Sequence, residues 1–194
     1  MSHQPRFAVI SDIDDTIKES HTESFIRYVV NTAFGSYSPV KNMPDLYKRL
    51  SLFCSRFYYV SASPAVYQAS FQEFITSHFP EGEIVLCNQY LRLSNIETYK
   101  MEEMESILGQ NPQYKIICVG DSLQRDAWVY SRLFELFPHR IEKILIRLAF
   151  NSDANDPKWE SIFEMVPRHK WMVFKEPEEL YSVIEPYYYY SDSA

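Results

Sequence analysis

Five short runs of apolar, β-branched and aromatic residues, at about 6–11, 56–61, 83–87, 115–120 and 143–148, recur along this chain, separated by segments with helical apolar spacing. The runs are nearly continuous in apolar residues rather than alternating. Both faces of each predicted strand must therefore be covered, as in a parallel sheet flanked by helices. The pattern predicts an α/β fold, a Rossmann-like doubly wound parallel sheet. A chain of 194 residues, 46% of them apolar, can bury one sizeable core, so residues 1–194 are expected to form a single domain. In such sheets ligands bind outside the carboxyl ends of the strands. The predicted strand ends at Asp12, Ser61 and Asp121 should bring three polar clusters together there.

Local punctuation refines this outline. Ser63 reads as an N-cap with Pro64 at the first helical position, and Val66, Phe71, Phe74 and Ile75 form an inward stripe. Gly109 reads as a left-handed helix end, and the helix in DSLQRDAWVYSRLFELF runs into Pro138. Residues 18–43 lie too far from the first strand for a simple turn and predict a short flap or minimal cap. The tail, about 186–194, is expected to fray, with packing of its four consecutive tyrosines against the body as the alternative. Trp128, Trp159 and Trp171 read as core anchors, and Cys54, Cys87 and Cys118 as buried free thiols.

Several function classes are excluded or disfavoured. With four glycines the chain holds neither a GxGxxG loop nor a Walker loop. Its histidines show no paired zinc spacing. No apolar stretch is long enough to span a bilayer and no leader opens the chain, so a cytoplasmic protein is expected. The net charge of −7 argues against nucleic acid as a partner. Lys18, Lys41, Lys48, Arg49, Lys100 and Arg125 read as a solvated basic rim.

The first strand ends in SDIDDT, which places Asp12, Asp14 and Asp15 in one short loop. Like charges packed so closely raise one another's pKa or demand a cation. An exposed acidic turn and a metal loop both fit this stretch by itself. The run KIICVGDSLQRD repeats the design, a buried strand ending in Asp121 and Asp126, and would complete a Mg²⁺ site if the two strands are neighbours. Ser61 and the amides after it can hold a phosphoryl oxygen, and Lys100 can supply positive charge. Taken singly, Ser61 reads more readily as a cap and Lys100 as a solvated helix residue.

The order DIDDT, strand-end Ser, Lys, GDSxxxD resembles the signature of the haloacid dehalogenase superfamily of phosphohydrolases. More closely, SDIDDTIKES, FYYVSASP, SHFPEG, GDSLQRDAWVY, FPHRIEKILIR and VFKEPEEL resemble the catalytic domain of the fungal actin-patch phosphatidate phosphatases, over roughly residues 6–181. The DIDxT run is more distantly similar to that of the lipins. The resemblance implies a sheet of the haloacid dehalogenase type and an aspartyl-phosphate mechanism with Mg²⁺. It implies Asp12 as nucleophile, Asp14 as general acid and base, Thr16 and Ser61 as positioning groups, and Lys100 as a charge-neutralising group. Asp12, Asp14, Asp121 and Asp126 fall in the metal loops, Asp126 either through water or by fixing Lys100. Asp15 stands where many superfamily members have Gly, and a structural role in the turn is implied. Ala65, Asn42, Leu123 and Ala127 depart from residues common in the closer family (Trp, Gly, Gly and Pro). The accessory N-terminal domain of fungal members is missing, so a stand-alone catalytic domain is expected.

About 45 residues separate Thr16 from Ser61 and about 39 separate Ser61 from Lys100. Neither interval holds a large cap domain, so an open crevice is expected. Openness suits large or surface-bound phosphate esters, and the resemblance tilts the expectation toward a lipid headgroup, phosphatidate, with peripheral membrane contact. Another open-site phosphate ester, or a catalytically idle binding module, are the alternatives. Tyr28, Phe34 and Tyr37 in the flap are candidates to face lipid.

Overall fold

The computed structural model describes residues 5–19, 37–87, 96–123, 125–150 and 152–190. Six strands form one wholly parallel sheet: β1 (Arg6–Ser11), β2 (Cys54–Pro64), β3 (Glu83–Cys87), β4 (Tyr114–Asp121), β5 (Ile141–Arg147) and β6 (Trp171–Phe174), in the order β3-β2-β1-β4-β5-β6. Between them lie helices α1 (Met43–Leu50), α2 (Gln68–His78), α3 (Ile96–Gln110), α4 (Asp126–Leu136) and α5 (Lys158–Ile162), and α6 (Tyr181–Ile184) follows β6.

The pleat divides each strand between two cores. Phe7, Val9, Tyr59, Ile117 and Val119 face one side, against Met43, Leu46 and Tyr47 of α1 and Phe71, Phe74 and Ile75 of α2. Ala8, Ile10, Val60, Ile116 and Cys118 face the other, against Met104, Ile107 and Leu108 of α3 and Val129, Tyr130 and Leu133 of α4. A strand buried on both faces can carry no polar alternation, which is why the sequence runs are continuous. Cys54, Cys87 and Cys118 are all buried, as expected.

The strand order fixes where a site can form. From β1 the chain builds outward to β2 and β3, then returns to the other side of β1 as β4. Such a reversal opens a crevice at the carboxyl ends of the two central strands. The Asp12 N–H donates to the Val119 carbonyl at 2.9 Å, so the loop after β1 is tied to β4 at this point. Among the described residues no cap domain stands over that edge.

Several local expectations are corrected. Four residues, WMVF, form a sixth strand that was too short to stand out by pattern. Ser63 still belongs to β2, and its hydroxyl bonds Asp14 rather than capping a helix. A 3-10 turn, Ala65–Tyr67, follows, and it turns Val66 into solvent instead of the core. Gly109 lies inside α3 with no positive φ, and the helix end is closed by the Asn111 amide donating to the Ile107 carbonyl at 2.9 Å. Trp159 and Trp171 are buried, but Trp128 is half exposed on the outer face of α4.

The flap expected over 18–43 is described only at its ends, and residues 20–36, with Tyr28 and Phe34, lie outside the described residues. Lys18 bridges Pro39 in antiparallel fashion, and the Val40 N–H donates to the Ile17 carbonyl at 2.8 Å. Tyr37 packs on Phe71, with ring centroids 5.4 Å apart, so its ring is engaged inside the fold. Asn42, where the resemblance suggested Gly, has φ 63° and precedes α1. Asn tolerates that left-handed conformation, so the departure preserves the backbone need.

The tail was expected to fray from about 186, yet Glu185–Tyr190 forms a 3-10 helix. Tyr187 stacks on Phe53 at 5.4 Å, meets Phe7 edge-on at 5.2 Å, and donates its hydroxyl to Glu142 at 3.0 Å. These contacts cover the amino ends of the central strands. Tyr187→Ala should lower the unfolding free energy by about 2 kcal/mol in urea titration, without altering the carboxyl edge of the sheet.

Candidate active site

Asp12 is the first residue beyond β1, and its neighbours fix it on every side. The Thr16 hydroxyl donates to Oδ2 at 2.9 Å, and Lys100 Nζ donates to Oδ1 at 2.7 Å. Its backbone carbonyl accepts from the Ser11 hydroxyl at 2.6 Å, and Ser11 in turn meets the Tyr47 hydroxyl at 2.5 Å. Residues 12–18 form a tight turn in which the N–H groups of Ile17 and Lys18 both donate to the Ile13 carbonyl. Asp15 occupies the left-handed position of that turn, φ 57°, and its N–H donates to the Lys18 carbonyl at 2.9 Å. Gly meets this geometry freely and Asp is among the few residues that tolerate it.

From the next strand comes Asp121, whose Oδ1 accepts the Leu123 N–H at 2.5 Å. Asp126 opens α4, and its two oxygens face opposite ways. Oδ1 accepts from Lys100 at 2.5 Å, while Oδ2 accepts the Asp121 N–H at 3.2 Å. Lys100, one turn into α3, is fully buried and shared between Asp12 and Asp126. Burial disfavours its charge, but the two carboxylates outweigh burial and hold the ammonium charged well beyond its ordinary range.

Carboxylate oxygens of Asp12, Asp121 and Asp126 all lie within 4.8 Å of one another. Asp14 stands apart from this group. Its Oδ1 pairs with Lys18 Nζ at 2.8 Å, and its Oδ2 accepts from Ser61 at 3.0 Å and Ser63 at 2.9 Å. Ser61 is ordered in turn by the Ser63 N–H at 3.0 Å. Four buried carboxylates, Asp12, Asp14, Asp121 and Asp126, thus face two buried ammonium groups, Lys18 and Lys100. The excess of negative charge and the all-oxygen donor set of Asp12, Asp121 and Asp126 fit a hard divalent cation. Asp12 registers that excess: burial pushes its pKa well above the ordinary 3.8, Lys100 pulls it back, and Asp126, Asp121 and Asp14 push it up again.

The fold brings together Asp12, Thr16, Lys100, Asp121 and Asp126, and holds Asp14 and Ser61 as a second group on the β2 side of the crevice. The sequence reading left Asp126 between two roles, and here it pairs directly with Lys100. Three contributors were misread or unnoticed. Lys18 was assigned to a solvated rim, but it is buried against Asp14 with its ammonium 4.7 Å from the Tyr37 ring centre. Its four-residue spacing from Asp14 was the available signal. Ser63 was read as a cap. Arg147, at the end of β5, donates to the Thr16 carbonyl at 3.4 Å. Burial lowers the pKa of its guanidinium, and Asp121 and Asp15 beside it push the other way.

Gly120 is demanded by the site itself. A Cβ there would lie 2.7 Å from both Cβ and Oδ2 of Asp126 and 2.8 Å from the Tyr130 ring. Gly120→Ala should displace Asp126 from Lys100, cost about 1–3 kcal/mol in urea unfolding, and weaken divalent-cation binding measured by calorimetry.

The family model for the catalytic domain of phosphatidate phosphatase APP1 matches residues 7–148. The phosphatidate phosphatase APP1 of Saccharomyces cerevisiae is 31% identical over 159 residues, 77% of this chain and 27% of the yeast protein. Protein C29B5.04c of Schizosaccharomyces pombe is 25% identical over 152 residues, 72% of this chain and 25% of that protein. The chain therefore spans about a quarter of the length of these curated relatives. Among solved structures, the class C acid phosphatase of Bacillus anthracis, with tungstate bound, superposes with a TM-score of 0.50 at 14% identity, over 91% of this chain and 69% of that one. The HAD domain of the Legionella pneumophila effector Lem4 gives a TM-score of 0.44 at 13% identity, over 84% of this chain and 94% of that one. The expected fold of the haloacid dehalogenase type is thus shared with a solved phosphatase, and by its sequence match over residues 7–148 the chain belongs to the family of the phosphatidate phosphatase APP1 catalytic domain.

Proposed function

We propose that residues 1–194 act as a Mg²⁺-dependent phosphatase that hydrolyses a phosphate monoester through an aspartyl-phosphate, with phosphatidate as substrate and diacylglycerol as product. The observation that carries this reading is the fully buried sharing of Lys100 between Asp12 and Asp126, beside a separately held Asp14. It gives two neighbouring carboxylates different surroundings, as a nucleophile and a proton carrier require. The family to which the chain belongs supports the reaction class and the lipid substrate.

In this reading the Asp12 Oδ atom nearest the crevice attacks phosphorus while the bond to the ester oxygen breaks in line. Lys100 orients Asp12 and offsets charge on the phosphoryl oxygens. Thr16 holds the other Asp12 oxygen and limits its rotation. Asp14, presented by Ser61, Ser63 and Lys18, gives its proton to the departing alcohol oxygen. It then takes a proton from the water that attacks the acyl phosphate, releasing phosphate and restoring Asp12. Asp12 and Asp121, with Asp126 directly or through water, would hold Mg²⁺, which supplies charge neutralisation for the incoming phosphoryl group.

A phosphate-release panel tests the assignment with short-chain phosphatidate, lysophosphatidate and an aryl phosphate, with and without Mg²⁺. The lipid substrates should turn over only with Mg²⁺, and Asp12→Asn and Asp14→Asn should each lower the rate at least ~100-fold. Turnover of the aryl ester alone would remove the lipid assignment.

The raised pKa of Asp12 predicts a pH dependence of stability. Without a cation the folded chain binds that proton more tightly than the unfolded chain, so this contribution is complete below pH 3.8 and is lost as the pH rises through the raised value. Adding Mg²⁺ should therefore raise the melting temperature by an amount that grows with pH, and Asp121→Asn should abolish the increase.

A further inference from the structure

Three large apolar side chains stand exposed on the loops that leave the carboxyl edge of the sheet. Val66 follows β2 and is 72% exposed, Leu123 follows β4 and is 47% exposed, and Phe150 follows β5 and is 52% exposed. This is the edge at which Asp12 and Asp121 emerge. The strands that carry the three loops lie on both sides of β1, and neighbouring strands are spaced about 4.8 Å apart, so the loops flank the crevice rather than cluster at one corner. The loops of Leu123 and Phe150 are fastened to each other. The Ser122 hydroxyl accepts the Ala149 N–H at 3.0 Å and meets the Ser152 hydroxyl at 2.7 Å. Phe150 itself sits at φ 51°, a left-handed conformation that a bulky side chain rarely adopts, with its ring turned outward.

We propose that Val66, Leu123 and Phe150 form a rim that inserts into a lipid bilayer and seats the mouth of the crevice at the headgroup level. The inference rests on the lipid-phosphatase reading. Asp12 is wholly buried at the floor of the crevice, so the phosphate must descend to it while the acyl chains remain in the bilayer. The mouth must then meet the interface, and it is the mouth that carries these exposed apolar tips. Attraction of charge contributes little to the docking. The chain carries a net charge of −7, and the rim has charges of both signs, with Arg125 paired to Glu97 at 3.2 Å. Apolar insertion therefore supplies the affinity, and binding should depend only weakly on salt.

The test is co-sedimentation of the full chain with phosphatidylcholine vesicles containing phosphatidate, in low and high salt. Alongside it, phosphate release is measured from those vesicles and from short-chain phosphatidate below its micelle concentration. The variant Val66→Ser, Leu123→Ser, Phe150→Asn should lose vesicle binding and vesicle turnover by at least about tenfold while keeping the short-chain rate, since Asn keeps the left-handed position of Phe150. Val66→Trp should bind vesicles more strongly and show a blue-shifted emission when it does. Leu52→Ser with Leu136→Ser, comparably exposed at 56% and 47% but on the opposite edge, should bind as the parent does. A parent chain that stays in the supernatant, or a rim variant that still sediments, overturns the proposal. Rim-dependent dimerisation without vesicles would overturn it too, assigning the rim to a second copy of the chain. Rim-dependent vesicle binding with no turnover of either phosphatidate would keep the docking surface and remove the phosphatase reading.

Discussion

The charge of Lys100 holds the centre of this molecule together. Its ammonium is fully buried and shared by Asp12, just beyond β1, and Asp126, at the start of α4. Removing one member of such a buried group leaves an uncompensated charge, at a cost of about 3–5 kcal/mol. The same bonds that make the site also dock α3 and α4 at the carboxyl edge of the sheet. Asp126 adds a second tie by accepting the Asp121 N–H, so the loop after β4 is shaped by the group that fixes the lysine.

Both faces of the sheet support this arrangement. On one, the Ser11 hydroxyl donates to the Asp12 carbonyl and is itself met by the Tyr47 hydroxyl of α1. On the other, Tyr130 of α4 donates to the Val119 carbonyl at 2.9 Å and packs beside Asp126 against the bare backbone of Gly120. Buried polar groups of this kind are tolerable only when their partners are fixed, and the doubly wound sheet provides fixed partners on each side. The second acid, Asp14, has its own set of partners, because Lys18 and two serines bond it on the β2 side. Two carboxylates two residues apart thereby acquire different partners.

Much of the architecture was legible in the sequence because it is written in local patterns. Continuous apolar runs announced the parallel strands, and the acids at the ends of two of them announced the crevice. Ser63 and Lys18 were judged from propensity or composition, and each was decided by what the fold placed opposite it. Ser63 would cap a helix if Asp14 were elsewhere, and Lys18 would be solvated without the acid and the Tyr37 ring above it. The strand β6 was missed because four residues carry too little pattern to outweigh their surroundings.

The sequence by itself determined the alternation of strands and helices, the positions of Asp12, Asp14, Asp121 and Asp126 at strand ends, and the family resemblance, since each is a property of neighbouring residues. Tertiary structure alone decided that Lys100 bonds both Asp12 and Asp126, that Asp14 belongs to a separate group, and that Val66, Leu123 and Phe150 share one edge. Those facts join residues dozens of positions apart. Only the order of strands in the sheet sets which of them meet, and a hydrogen bond or an ion pair depends on separation in space rather than along the chain.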